Sequence, residues 1–419
     1  MRDLTVDTSE DPVTSDVLFA LQLRTANEPL FPRLEIFECK SATEAFIPFI
    51  PSFLSRNTTA IYINFAEGLP TVMVASTVTR LSILCPGLER ITLNPLPRDL
   101  VITEAVSEML LTCNRDSLQW FRVDSPLTEE AHEIVFQLPK LSELWVVIQG
   151  HTEIPPAALP NLLMIDLEYD DYLDWLPGFH GAMLGGLKHA YFTSQSEQIG
   201  DFLGEFARVA LTTPAPSTLS IFNFGTSRPW DPDYRSLLPF TQLKNLQIGF
   251  SCKDRCSSKV DDNIIMDLAR AMPKLEILKL GDAPCKIRRG ITAKGLIALA
   301  RGCCHLSQLR IHFRAASLAA AGAGAEVPAP SGDESVVRGQ DCVLTDLEVG
   351  KIPIPTDSVL MVTMVLLQIF PRLLNVEFID ERWGSVAENI RLFQRIGSVV
   401  RHTGKVYLPS IKSLSVTFC

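Results

Sequence analysis

Large apolar residues recur along the chain in the order L-x-x-L-x-L, and a helical pattern of apolar residues precedes many of these copies. Residues 261–282 contain the clearest example. Ile264, Ile265, Leu268 and Ala269 have the spacing of one apolar stripe on an amphipathic helix. The first half of this unit is therefore predicted to be a helix that buries one side.

The second half of the same unit has the spacing of a strand. Leu278 and Leu280 alternate with Ile277 and Lys279, as residues on the two faces of a strand do. A single helix and strand of this size cannot bury their apolar faces alone, so they must stack on similar units. The pattern therefore predicts a repeat protein.

Thirteen further copies occur along the chain, some with another residue in place of a leucine. They begin at Leu34, Thr58, Leu88, Leu118, Leu141, Leu162, Leu187, Leu219, Leu243, Leu306, Leu344, Leu373 and Ile411. The copy that begins at Leu219, for example, continues with Phe222 and Phe224. Successive copies are 21 to 38 residues apart and average 29. This average lies at the long end of the range of leucine-rich repeats, at which the convex side is helical.

We therefore predict an α/β fold, a leucine-rich-repeat solenoid of the ribonuclease-inhibitor-like horseshoe type. Parallel strands would form its concave face and helices its convex face, in a single domain over residues 1–419. Residues 314–340 are rich in Ala, Gly, Pro and Ser and have almost no large apolar side chain. Such a segment buries too little surface to offset its ordering entropy, so we predict a disordered insertion within one repeat.

Composition and charge narrow the class of protein. The net charge of −10 and the pI near 5.3 argue against a nucleic-acid-binding protein, because such a surface must be basic. The acidic, polar start of the chain argues against a secretory signal. Most of the ten cysteines lie in apolar runs, which indicates buried free thiols in a reducing compartment. We therefore expect an intracellular protein, cytoplasmic or nuclear, without a membrane segment.

The sequence contains little that indicates catalysis. Motifs for a nucleophile elbow, a phosphate-binding loop, a dinucleotide-binding loop and a zinc peptidase are all absent. Cys252 and Cys256, with Cys285 and the Cys303–Cys304 pair, are candidate zinc ligands, but no second pair has ligand spacing. We predict no enzymatic activity, no metal site and no cofactor.

The residues between the leucines point away from the core, so they would line the concave face. Tryptophan and tyrosine beside charges are typical of binding hot spots. The candidate protein-binding residues are Tyr62, Arg90, Trp120, Arg122, Glu143, Trp145, Asp166, Glu168, His189 and Tyr191. Alternatively, these large side chains only cover neighbouring backbone. If they bind a partner, their acids and the loop acids Asp170, Asp171 and Asp174 favour a basic or mixed-charge segment.

Many strands are preceded by the pattern P-x-L, as in FPRLEIFEC, CPGLERITL and MPKLEILKL. These strand entries, the varied repeat spacing and the insertion resemble the repeat region of fungal F-box proteins, above all the expanded sets of mushroom-forming (basidiomycete) fungi. In that family, an F-box docks on the adaptor of an SCF ubiquitin ligase while the repeats hold the substrate. The resemblance implies a substrate-recognition role for this chain.

The start of the sequence departs from the family pattern. An F-box opens with an L-P-x-E-[IL]-like run, and the first forty residues contain none. We therefore expect the F-box itself not to be present in this chain, and the SCF adaptor to be a partner only if an F-box lies upstream. A stand-alone leucine-rich-repeat scaffold without a link to ubiquitin ligases is the alternative.

Overall fold

The computed structural model describes most of the chain. The described residues are 1–8, 16–17, 19–20, 23, 29–113, 115–148, 160–169, 187–194, 202–210, 216–223, 233–250, 260–281, 290–322, 342–349, 352–378 and 380–403. The chain divides into two compact units, Met1–Thr226 and Ser227–Cys419. The prediction of one domain over the whole chain stays a prediction.

The first unit contains nine described strands that run parallel and follow chain order. They are β1 (Asp3–Val6), β2 (Ile36–Ala42), β3 (Ala60–Phe65), β4 (Arg90–Asn94), β5 (Trp120–Pro126), β6 (Glu143–Ile148), β7 (Met164–Tyr169), β8 (His189–Ser194) and β9 (Thr218–Asn223). The helices described between them are α1 (Ile50–Phe53), α2 (Thr71–Leu84), α3 (Leu100–Thr112), α4 (Glu129–Val135) and α5 (Phe202–Ala210).

The second unit has the same organisation, with five described parallel strands in chain order. They are β10 (Asn245–Phe250), β11 (Ile277–Leu280), β12 (Gln308–Arg310), β13 (Asp346–Val349) and β14 (Asn375–Phe378). Its described helices are α6 (Asp262–Ala271), α7 (Ala293–Gly302), α8 (Ala315–Gly322), α9 (Val359–Ile369) and α10 (Arg382–Thr403). The predicted α/β class with parallel strands is therefore confirmed, whereas the horseshoe shape stays a prediction.

Within each unit, neighbouring repeats are joined by the same pair of backbone hydrogen bonds at the strand entries. The carbonyl oxygen of Gln119, for example, accepts hydrogen bonds from the backbone N–H groups of Ser142 and Glu143, at 2.8 and 3.1 Å. The Ser142 hydroxyl donates to the same oxygen at 3.0 Å. This arrangement satisfies backbone groups that would otherwise be unpaired, and it fixes the register of each strand on the preceding one.

The strands have one buried face and one polar face. In β6, for example, Leu144 and Val146 are buried, and Glu143 and Trp145 on the opposite face are half-buried. We call the face of the strands that carries these alternating side chains the polar face. The predicted division between core leucines and outward residues is therefore confirmed for β6.

The copy of the repeat that was predicted to begin at Leu219 has a different register in the structure. We expected Leu219 at the first apolar position, but it pairs with Ala190, and Ile221 pairs with Phe192. Leu219 therefore occupies the second position and Ile221 the third. The predicted position is three residues too late because this copy has no leucine at its first position.

The predicted insertion at 314–340 also differs from the structure at its start. Helix α8, Ala315–Gly322, occupies this region, and both Ala315 and Leu318 are buried. Small alanines favour a helix even where few large apolar residues are present. The remainder of the predicted insertion, from residue 323 onward, lies outside the described residues.

Helices α6 and α7 pack closely because α7 ends in a glycine. A methyl group at Gly302 would lie 2.6 Å from the carbonyl oxygen of Ala269. Gly302→Ala is therefore expected to lower the free energy of unfolding by roughly 1–3 kcal/mol, measured by urea denaturation. Gly87→Ala is the control, because a methyl group there would meet no atom within 4 Å. Equal stability of the two variants would contradict this packing.

None of the described helices is both long and apolar enough to cross a membrane. Helix α9 is the most apolar of them, and it buries Val362, Val365, Leu366 and Ile369 within its own unit. The apolar sequence of α9 is therefore accounted for by packing within the protein.

Candidate protein-binding site

The strand register aligns four predicted binding residues across consecutive strands. Arg122 of β5 pairs with Trp145 of β6, Trp145 with Asp166 of β7, and Asp166 with Tyr191 of β8. All four side chains are half-buried on the polar face. We call these four residues the central row. A neighbouring strand lies about 5 Å away in a sheet, so the four form one continuous surface.

A second row runs beside the central row. Trp120 pairs with Arg90 on one side and with Glu143 on the other. Met164 then separates Glu143 from His189. The Nδ1 atom of His189 is buried without a hydrogen-bond partner in the described part of the chain. The predicted residues of this row are therefore also brought together.

Tyr62 is the predicted residue farthest from this patch. It lies on β3 and pairs with Thr92 of β4, and Thr92 in turn pairs with Arg122. One strand thus separates Tyr62 from the central row. The predicted loop acids Asp170, Asp171 and Asp174 lie outside the described residues.

Arg122 stacks on the ring of Trp145. The guanidinium carbon lies 3.3 Å from the ring centroid, which is a close cation–π contact. Burial lowers the pKa of Arg122, and Asp166 and Asp124 oppose this shift. The Nε atom is buried, and no described residue accepts a hydrogen bond from it. The stack fixes the position of a cation beside the carboxylate of Asp166.

Asp166 is a carboxyl group in an unfavourable environment. Burial raises its pKa from 3.8 to about 6, Arg122 opposes the shift, and the charge of Glu168 adds to it. Hydrogen bonds from the described residues contribute nothing to this shift. Burial and the charge of Asp166 also raise the pKa of Tyr191. Among the described residues, the charge of Arg122 is therefore what opposes the effect of burial on this carboxylate.

Glu168 is paired with an arginine that the repeat pattern does not reveal. Arg98 donates two parallel hydrogen bonds to the Glu168 carboxylate, at 2.7 and 2.6 Å. The same loop donates the backbone N–H of Leu96 to Asp124 at 2.8 Å. Burial raises the pKa of Asp124, and the positive charge of Arg98 opposes the shift. The loop before α3 thus reaches the polar face and neutralises part of its negative charge.

Replacing Asp166 with asparagine is expected to stabilise the chain. Because the pKa is higher in the folded state than in the unfolded state, ionised Asp166 destabilises the fold near pH 7. Near pH 7, Asp166→Asn should raise the free energy of unfolding by roughly 1–2 kcal/mol, a value reduced to allow for the partial exposure of the side chain. Below about pH 4, where the carboxyl group is protonated in both states, the variant should give no gain. Urea denaturation at the two pH values measures this. A loss of stability, or an equal gain at both pH values, would contradict it.

No other described cluster suggests chemistry. Among the described residues, no three His, Cys, Asp or Glu side chains are arranged to hold a metal ion. The candidate ligands Cys252, Cys256 and Cys285 lie outside the described residues, while Cys303 is buried and Cys304 half-buried. The described cysteines are free, as predicted. Burial raises the pKa of the Cys303 thiol to about 12, so it is unreactive.

Comparison with models of known protein families gave no match for this chain, and comparison with curated proteins gave none. The function proposed below therefore depends on the residues of the polar face and on the repeat pattern.

Proposed function

We propose that this chain is a protein-interaction module and that its partner contacts the polar face of β5–β8. The observation that carries this proposal is the central row, where tryptophan, tyrosine and arginine surround a half-buried carboxylate. Aromatic and arginine side chains are enriched at binding hot spots. They are half-buried in the free chain, so part of each side chain remains for contact with a partner.

The central row could bind a partner, or its side chains could only cover neighbouring backbone. The environment of Asp166 favours a binding role. Because burial raises the pKa of Asp166, the ionised carboxylate is expected to lower the stability of the fold, and a neutral side chain would cover the same backbone without that cost. Residues that reduce stability are commonly found where function requires them. A partner that supplies a counter-charge would recover the lost free energy on binding.

As the more specific form of this function, we propose substrate recognition for an SCF-type ubiquitin ligase. The P-x-L strand entries and the varied repeat spacing, which resemble those of fungal F-box proteins, support it. The adaptor would be a partner only if an F-box lies upstream of Met1. A stand-alone scaffold would use the same polar face and differ only in lacking the ligase subunits.

Affinity purification tests both the general interaction role and the ligase role. The protein would be tagged after Cys419 and purified from cells that express it natively, and the bound proteins would be identified by mass spectrometry. Recovery of the SCF adaptor and a cullin supports the ligase role, whereas partners without these subunits overturn it.

The double variant Asp166→Arg and Glu168→Arg should lose the partner and slow its association. Glu377→Arg, an exposed acid on β14, is the matched control. Partner recovery that the double variant leaves unchanged would overturn the proposed site.

A further inference from the structure

We propose that the partner presents an arginine to the central row and that its guanidinium binds the carboxylate of Asp166 between Trp145 and Tyr191. This inference rests on the proposed function, because it names the chemistry of the partner at the same site. Three features of the site support it. They are the balance of charges around Asp166, the arginine–carboxylate pair already present beside it, and the aromatic rings on either side.

The first feature is the charge balance of the polar face. Glu168 is paired with Arg98, and Asp124 accepts a backbone hydrogen bond from Leu96. Arg122 lies over the ring of Trp145 and acts on Asp166 through its charge, without a hydrogen bond to it among the described residues. Asp166 is therefore the carboxylate of this cluster that keeps no direct partner there. An anionic partner group would be repelled by it, and a cationic group would complete the cluster.

The second feature is that the cluster already holds a guanidinium. Arg98 binds Glu168 through two parallel hydrogen bonds, the geometry that arginine forms with carboxylates. Asp166 and Glu168 lie on the same strand and the same face, about 7 Å apart along β7. A second guanidinium at Asp166 would therefore lie beside the first one without displacing it.

The third feature is the pair of rings on either side. Trp145 and Tyr191 flank Asp166 in register, on β6 and β8. The stack of Arg122 on Trp145 demonstrates that a guanidinium packs on this surface. A planar, weakly hydrated guanidinium stacks on aromatic rings more favourably than the compact ammonium of lysine. These rings therefore favour arginine over lysine as the cation.

Selection from a displayed library of random linear dodecapeptides against the full chain tests this inference. Peptides whose binding is lost in Trp145→Ala report on the central row. We expect such peptides to contain arginine and to bind at least roughly tenfold more weakly to Asp166→Asn near pH 7. This variant is expected to be more stable than the native chain, so misfolding cannot explain its loss of binding. Glu377→Gln, the control on β14, should bind the peptides normally.

Replacing the peptide arginine with citrulline, which has the same shape without the charge, identifies the contact. Citrulline should weaken binding to the native chain at least roughly tenfold, and should weaken binding to Asp166→Asn much less, since that contact is already lost. Peptides that depend on Trp145 but have no arginine would overturn this inference and leave the proposed function intact. A selection that enriches no peptide dependent on Trp145 would overturn both.

Discussion

Replacing Trp145 with alanine is expected to lower the affinity of the chain for its partner at least roughly 30-fold, about 2 kcal/mol. Trp145 lies inside the central row, with Arg122 on one side and Asp166 on the other. The substitution removes the largest apolar surface of the row. It also removes the ring on which Arg122 is stacked, so a second contact residue loses its fixed position.

Biolayer interferometry with the purified partner measures this change. Phe378→Ala is the matched control, because Phe378 is an exposed aromatic residue on β14 of the second unit. Trp145 is half-buried and lies outside the core, so Trp145→Ala should still fold, and its circular dichroism should be unchanged. An affinity within twofold of the native value, or an equal loss in Phe378→Ala, would contradict a hot spot at Trp145.

Replacing Trp383 with alanine is expected to destabilise the second unit by roughly 4–5 kcal/mol. Trp383 lies at the start of α10 and is fully buried. Its ring meets that of Phe313 edge to face at 5.6 Å, and its indole N–H donates to the carbonyl oxygen of Ile352 at 2.8 Å. Three separate segments of the unit are therefore joined by one side chain. Alanine would leave a large cavity and an unpaired buried carbonyl group.

Trp383→Phe separates the contribution of apolar packing from that of the indole hydrogen bond. It keeps most of the apolar volume and removes the hydrogen bond, so we expect a loss of roughly 1–2 kcal/mol. Hydrogen exchange followed by mass spectrometry measures both variants and should detect faster exchange in β12, β13 and α10. If Trp383→Ala exchanges like the native chain, the side chain does not hold these segments together.

The fold was largely predictable because its main feature is periodic. Alternation of core and outward residues decides which face each strand buries, and the repeat length decides that helices connect parallel strands. The candidate site followed from the same alternation. Once Leu144 and Val146 are buried, Trp145 must lie on the polar face, and its neighbours are the equivalent residues of adjacent copies.

The electrostatics of the site were not predictable in the same way. Arg98 lies 70 residues from Glu168 in the sequence, in a loop that belongs to no repeat position, so no local pattern links the two. Asp124 could have been found by extending the alternation two residues beyond Arg122. The raised pKa of Asp166 depends on burial by neighbouring side chains, and burial of this kind is a property of the folded chain.

Hydroxyl-radical footprinting of the complex is the most direct test of the central claim that the polar face of β5–β8 binds the partner. It reports the solvent exposure of individual aromatic side chains. Compared with the free chain, the complex should show reduced oxidation of Trp145 and Tyr191 and unchanged oxidation of Phe378. Unchanged oxidation of Trp145 and Tyr191, together with protection of another surface, would contradict the claim.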